Sequence, residues 1–403
     1  MLNSHLLYHV RGPIDLPRLR CALELVAIRH ESLRTTFLAG RPLTRVIHDV
    51  PLIQFHESDL GQSADAAADA ARDIKDQLRR RFGLADEPLR CFSYRLGRRE
   101  HVLAILTHHL NTDGWSAGVI SRDLGAAYRQ AGGEPTALPA LGWQYSDFVA
   151  WQRARLQGRN LQALQSSWLD KLEGLELPRL RDAPRPSQPR SASGIEWEWI
   201  DAETVGRLRR LAADLEATPF VVLLSAFYIL LHRVTGQRDL AVASMMANRG
   251  HPKSRATVGF LANMVLLRTS FPGARAFPDL VREAARTSLH ALTHQELPYQ
   301  LLPPSLVAGL QERPHDVVFQ MLARESLSLT IDGLDITPMP PPDGVAHRFG
   351  LEFLLGPARQ DSLHVMVRYE SGRFDPLWVR DLAVSYRGLV EDISRGKNVP
   401  LSD

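Results

Sequence analysis

His108-His109-Leu110-Asn111-Thr112-Asp113-Gly114 is the stretch on which the reading of this chain turns. An apolar run, Val102-Leu103-Ala104-Ile105-Leu106, leads into it, so two adjacent imidazoles stand where a buried strand is predicted to end. Consecutive strand side chains point to opposite faces, so one His is directed toward a cavity and the other into the protein body. Histidine has the ordinary pKa nearest neutrality and can take or give a proton at working pH. Asp113 can return toward His109 if the chain turns, and Gly114 is expected to permit that turn. The pattern predicts one catalytic imidazole and one structural imidazole.

Upstream, Leu6 to Val10 reads as a short strand broken by Arg11-Gly12-Pro13. Leu16 to Ile28 carries apolar residues at a helical period, and Arg29 to Phe37 leads from that helix into a β-branched strand. Ala64 to Phe82 reads as a second helix. Phe92 to Thr107 reads as two strands around the polar break Gly97-Arg98-Arg99-Glu100. Downstream, Ala117 to Gln130 and Tyr145 to Leu156 read as helices. Thr218-Pro219 is a strong helix start and Gly236 a helix stop, with Leu223, Leu224, Phe227, Leu230 and Leu231 on one face between them. Leu240 to Ser244, Met264 to Arg268 and Leu363 to Tyr369 read as strands, Pro338 to Pro342 as a loop, and Leu377 to Ile393 as a closing amphipathic helix.

With 403 residues the chain exceeds one ordinary core, so two lobes are expected. The Pro- and Arg-rich stretch Leu177 to Pro189 cannot hold a regular ladder. The expected division is an N-terminal lobe over 1–176, a linker over 177–193 and a C-terminal lobe over 194–403. Lys and Arg number 48 against 45 Asp and Glu, a net charge of +3. No nucleic-acid partner is expected from so even a balance, although a modest basic surface suits an acidic protein. The two cysteines, Cys21 and Cys91, make no disulfide framework and fit a reducing cytoplasm. No metal-ligand spacing stands out. No signal peptide is seen, and the most apolar run, Phe220 to Leu231, is too short to span a bilayer.

Several segments together resemble the condensation domains of nonribosomal peptide synthetases, members of the chloramphenicol-acetyltransferase-like acyltransferases. The His-His-x-x-x-Asp-Gly element is shared with other acyltransferases, and the surrounding segments narrow the choice. Arg29-His30-Glu31-x-Leu33-Arg34-Thr35-x-Phe37 is similar to the second signature of the family. Tyr145-Ser146-Asp147-Phe148-x-x-Trp151-Gln152 is similar to the fourth. Ala247-Asn248-Arg249 with Val258-Gly259-Phe260-x-x-Asn263 is similar to the fifth, and His294 to Tyr299 to the sixth. Asp113-Gly114-Trp115-Ser116 resembles condensation rather than epimerisation domains. The family's opening helix is absent before Met1-Leu2-Asn3, the seventh signature is weak over Arg313 to Gln320, and Asn111 and Thr112 are more polar than usual.

The resemblance implies an α/β (α+β) protein of two chloramphenicol-acetyltransferase-like lobes in a V-shaped pseudo-dimer with a central cleft. It implies amide formation between a donor acyl or peptidyl thioester and an acceptor amine. Both substrates would ride on 4'-phosphopantetheine arms of donor and acceptor peptidyl carrier proteins, with no cofactor bound by this chain. His109 would accept the amine proton or orient the amine, and the Gly114 N–H is a candidate oxyanion donor. Asp113 is expected to form a buried salt bridge that fixes the loop. Arg34 is the partner chosen, with Arg268 second. Trp115 and Ser116 are candidates for substrate contact or for helix-start packing and capping. Asn263 would hydrogen-bond substrate or close a turn, and Gln295 would brace a loop or touch substrate. The rivals are a free-standing acyl-CoA-dependent acyltransferase and a non-catalytic docking module on the same scaffold.

Overall fold

The computed structural model describes residues 3–135, 138–180, 193–270, 276–304, 306, 316–322, 328–342 and 349–397. In chain order the first elements are β1 (Asn3–Arg11), α1 (Leu16–Arg29), β2 (Thr35–Leu38), β3 (Thr44–Ile47), β4 (Ile53–Asp59), α2 (Ala66–Arg79), β5 (Leu89–Gly97), β6 (Glu100–His108), α3 (Gly114–Ala131), α4 (Tyr145–Arg155) and α5 (Gly158–Leu172). There follow β7 (Ser193–Ile200), α6 (Ala202–Asp214), α7 (Pro219–Thr235), β8 (Asp239–Met246), β9 (Asn263–Ser270) and α8 (Phe277–His294). The last are β10 (Val317–Met321), β11 (Asp335–Pro338), β12 (Leu351–Pro357), β13 (Leu363–Glu370) and α9 (Pro376–Ser394). Several helix starts follow side-chain caps: Asp15 accepts the Arg18 N–H at 2.9 Å, and Thr218 accepts the Val221 N–H at 3.3 Å.

The chain divides into two compact units. The first is built from Met1–Arg153, Arg249–Ala262 and Arg324–Val345. Its five-stranded sheet has the order β11-β1-β6-β5-β4, and β2 pairs with β3 alongside. All neighbours in that sheet are antiparallel except β4 and β5. One face of the sheet packs on α1 and α3 through Leu19, Leu23, Val119 and Leu124. The other packs on α2 through Ile74 and Leu78.

The second unit takes Ala154–Asn248, Asn263–Ala323 and Ala346–Asp403. Its six-stranded sheet runs β7-β13-β12-β10-β8-β9, with β10 parallel to both β8 and β12. The core is centred on α7, which is buried from Val221 through Leu231 and ends at Gly236 in the left-handed region, φ 71°. Among the described residues no single helix is long and apolar enough to cross a membrane.

This division corrects the expected lobes. The boundary falls at Arg153, before α5, not at residue 176. Leu164, Trp168 and Leu172 of α5 are buried in the core of the second unit, and Leu175 and Leu180 join them. Conversely, β11, beyond residue 330, is an edge strand of the first sheet. Residues 181–192 of the expected linker lie outside the described residues, as do 313–315 of the seventh signature.

Candidate active site

The two histidines straddle the end of β6, whose last residue is His108. Leu103 and Ile105 enter the core beneath α1 and α3, while Val102, Ala104 and Leu106 enter the core against α2. His108 continues the second set and is buried near the rings of Phe37 and Phe82, each 5.8 Å away. Its Nδ1 accepts the Leu110 N–H at 3.0 Å. Burial pushes its pKa down, so the ring is held neutral.

His109 follows the end of the strand and is half-buried. Its Nδ1 lies 3.0 Å from the Thr112 carbonyl. A carbonyl only accepts, so Nδ1 carries the hydrogen and the neutral ring keeps a lone pair on Nε2. The Phe260 ring meets His109 edge-on at 5.4 Å and 82°. The two polar residues that depart from the usual motif fasten this loop from beneath. Asn111 is buried and donates to the Thr35 carbonyl at 2.8 Å, and the Thr112 hydroxyl meets that of Thr107 at 2.6 Å.

Asp113 is turned toward Arg249, not toward His109. Arg249 Nη1 and Nη2 each reach one carboxylate oxygen at 3.1 Å, a two-pronged pair with both side chains buried. Oδ2 also accepts the Leu261 and Ala262 N–H groups at 3.0 and 2.9 Å. Oδ1 accepts the Ser116 N–H at 2.8 Å, which makes Asp113 the N-cap of α3. Burial pulls the Arg249 pKa down and Asp113 opposes it. One carboxylate therefore gathers the helix-start N–H and hydroxyl of Ser116, the Arg249 guanidinium, and the two backbone N–H groups that end the Arg249–Ala262 segment.

Several expectations are corrected here. Arg34 is not the partner of Asp113; it donates to the His48 carbonyl beside the 3-10 turn that carries it. Arg268 pairs with Asp239 at 2.6 Å in the second unit. Ser116 is not the cap. It is fully buried three residues into the helix, its hydroxyl 2.8 Å from Asp113 Oδ1 and 2.9 Å from the Gly259 carbonyl. Those partners leave it no free face for substrate. Gly114 does not make the turn, since it is the first helical residue and its φ is not positive. It is exposed, and an added Cβ would meet nothing within 4 Å. Trp115 is 42% exposed and donates from Nε1 to the Arg255 carbonyl at 2.9 Å.

Asn263 and Gln295 form a separate knot in the second unit. Asn263 Nδ2 donates to the Gln295 and Leu297 carbonyls at 2.9 and 2.5 Å. Gln295 Oε1 accepts the Asn248 N–H at 2.9 Å, and its Nε2 donates to the Leu292 carbonyl at 2.8 Å. These amide contacts brace backbone, which favours the turn-closing reading of Asn263 and the loop-bracing reading of Gln295 over substrate contact. Among the described residues no group of three or more His, Cys, Asp or Glu is placed to hold a metal ion.

The residue missed in the sequence is Arg249. It stands in a segment picked out for its pattern, but 136 positions separate it from Asp113, and only the fold brings them together. Gly259 is the second: a Cβ there would sit 2.3 Å from the Tyr145 ring.

A family model described as Condensation domain matches residues 2–403. The chain is 36% identical over 300 residues to phosphinothricin tripeptide synthetase PhsC of Streptomyces viridochromogenes, covering 72% of this chain and 27% of that protein. The X-domain from teicoplanin biosynthesis shares the fold, with a TM-score of 0.83 at 24% identity over 100% of this chain and 92% of that one. The first condensation domain of the calcium-dependent antibiotic synthetase, solved with a substrate analogue, gives a TM-score of 0.82 at 18% identity over 100% and 94%. The chain spans about a quarter or less of the length of the curated relatives it matches.

Proposed function

Because the chain belongs to the condensation-domain family, we propose that it joins a donor acyl or peptidyl thioester to an acceptor amine by an amide bond. Both substrates arrive on 4'-phosphopantetheine arms of carrier proteins, the donor carrier and the acceptor carrier. The C–N bond forms, the C–S bond breaks, and the donor arm leaves as its thiol. A thioester is already activated, so the protein supplies alignment, a proton route and oxyanion stabilisation. Alignment is worth several kcal/mol, since effective molarities of ~10⁵ M are attainable.

The observation that carries the reading is the 3.0 Å contact between His109 Nδ1 and the Thr112 carbonyl. With Nδ1–H held by the Thr112 carbonyl, Nε2 is the free acceptor of a half-buried ring. Nε2 takes the proton of the attacking amine and returns it to the departing sulfur. The Gly114 N–H, in the first helical turn and so without an intrahelical partner, is the oxyanion donor. An added Cβ at Gly114 would meet nothing within 4 Å, and the next residue, Trp115, is exposed. His108 and the Asp113–Arg249 pair hold the loop and touch no reacting atom. Free thiols at Cys21 and Cys91 suit a reducing compartment, which supports a cytoplasmic reading.

Intact-protein mass spectrometry of loaded donor and acceptor carriers tests this. Wild type is expected to move the acyl mass onto the acceptor. Folded His109→Ala is expected to be slower by about 10²–10⁴. Equal transfer by both proteins rejects the proton role of His109. Transfer from the matching acyl-CoA but not from the carrier identifies a free-standing acyltransferase. Carrier binding without transfer under any substrate pair identifies a docking module.

A further inference from the structure

The Asp113 carboxylate is approached from both ends of one segment, by Arg249 at its start and by the Leu261 and Ala262 N–H groups at its finish. Between those ends the chain makes a single 3-10 turn, Pro252–Ser254, and pairs with no strand. Pro252, Lys253 and Arg255 are exposed. Something outside the segment has to fix its course.

Trp115 and Ser116 hold its Arg255 and Gly259 carbonyls, and an aromatic contact holds the stretch around His251. The His251 ring stacks on Trp143 with centroids 4.0 Å apart and planes 13° from parallel. Trp151 leans on the same imidazole at 5.6 Å and 54°, and on Trp143 at 5.5 Å. Trp143 grips the segment a second time through its carbonyl, which accepts the Thr257 hydroxyl at 2.9 Å. The Thr257 carbonyl in turn accepts Arg249 Nη2 at 3.3 Å. The His251 ring also orients itself locally, its Nδ1 accepting the Lys253 N–H at 3.3 Å. Contacts thus run without a break from Trp143 through Thr257 and Arg249 to Asp113, the cap of the helix that follows His109. Gly142, next to Trp143, permits the close approach, since a Cβ there would lie 3.0 Å from Lys253 Cα.

We propose that His251 is a positioning residue: its ring, clasped by Trp143 and Trp151, holds the Arg249–Ala262 segment against Asp113 and so sets the His109 loop. The inference about turnover rests on the condensation reading above; the inference about the segment does not. Two variants separate the stack from the local turn. His251→Phe keeps an aromatic ring for Trp143 and loses the Nδ1 acceptor. His251→Asn keeps a side-chain acceptor for the Lys253 N–H and loses the stack.

The test is hydrogen exchange on the full 403-residue chain without substrate, read at the Leu261 and Ala262 amides, alongside carrier-to-carrier transfer kinetics. In His251→Asn and His251→Ala, exchange at those amides is expected to quicken about tenfold or more, while amides of α7 keep wild-type protection. kcat is expected to fall about ten- to a hundredfold with KM for the loaded carriers changing less than about twofold. His251→Phe is expected to restore both readouts to near wild type. Unchanged amide exchange in His251→Ala overturns the clasp. So does full rescue by His251→Asn with none by His251→Phe, which would assign the effect to the turn. Should wild type show no transfer with any carrier pair, the condensation reading fails while the exchange result still decides the clasp.

Discussion

At the scale of single residues the decisive feature is one carboxylate with a full complement of donors. Removing Asp113 leaves the Arg249 guanidinium buried with a lost charge partner, and the helix start and two backbone N–H groups lose their acceptor at the same time. Stranding one member of a buried pair costs about 3–5 kcal/mol. Asp113→Ala is therefore expected to lose soluble, folded protein before it loses turnover, as measured by yield and urea unfolding. A fully folded Asp113→Ala with no activity would assign Asp113 to the chemistry instead. Arg249→Ala is expected to cost about as much, and the double variant less than the sum of the two, because neither charge is then left alone. The sequence made half of this pair legible. The need for a buried arginine partner comes with the family resemblance, whereas the choice among arginines does not. Arg34 stands in a signature segment, yet its guanidinium donates to the His48 carbonyl. The alternation along β6 was legible, and the structure puts His108 in phase with Leu106 and Ala104.

At the scale of elements, α1 and α3 are joined by a charged cluster that the chemistry does not use. Asp123 is fully buried and accepts from Arg29 Nε and His30 Nε2, both at 2.9 Å, with Arg122 at 2.7 Å. Burial pushes the Asp123 carboxyl up, but the hydrogen bonds from His30 and Arg122 outweigh it and hold the pKa down to about 2. Burial also pushes His30 down, so the ring donates to Asp123 while neutral. A depressed carboxyl stabilises the fold above its ordinary pKa, and that contribution is lost as pH falls through the folded value. A His with lowered pKa likewise loses its contribution as pH falls below about 6.5. Wild-type stability is therefore expected to decline on acidification, with about 2 kcal/mol from Asp123 disappearing between about pH 4 and 2. Asp123→Asn should be less stable at pH 7 and show a shallower decline in that window, checked by denaturant unfolding at several pH values. Parallel declines for the two proteins would refute the assignment. Helix limits were readable where a cap announced them, as at Thr218 and Gly236 around α7, because caps act on neighbours in sequence. The strand β11 was not readable: Asp335–Pro338 lies beside a Pro run that looks like a loop, and only pairing with β1 makes it a strand.

At the scale of the molecule, the chain passes between the two units more than once, at Arg153, Asn248, Ala262, Ala323 and Val345. Composition marked a single crossing near the Pro- and Arg-rich stretch, since Pro and Arg density reports where regular structure fails and says nothing of which core a helix joins. The two divisions make opposite demands on a fragment of residues 1–176. If the lobes followed composition, the fragment would carry its whole core and fold. In the observed division it lacks β11, so β1 becomes an uncovered edge, and it lacks Val258, Leu329 and Ile331 from the core beneath α1 and α3. It lacks Arg249 too, which leaves Asp113 buried and unpaired. It would also expose Leu164, Trp168 and Leu172 of α5, which have no partner core in the fragment. An uncovered apolar edge strand and an exposed apolar helix face both promote association. The fragment is therefore expected to give no cooperative thermal transition and to aggregate, while the 403-residue chain unfolds cooperatively. A monomeric 1–176 fragment with a sharp transition would show that the N-terminal stretch closes its own core and that the later segments are dispensable to it.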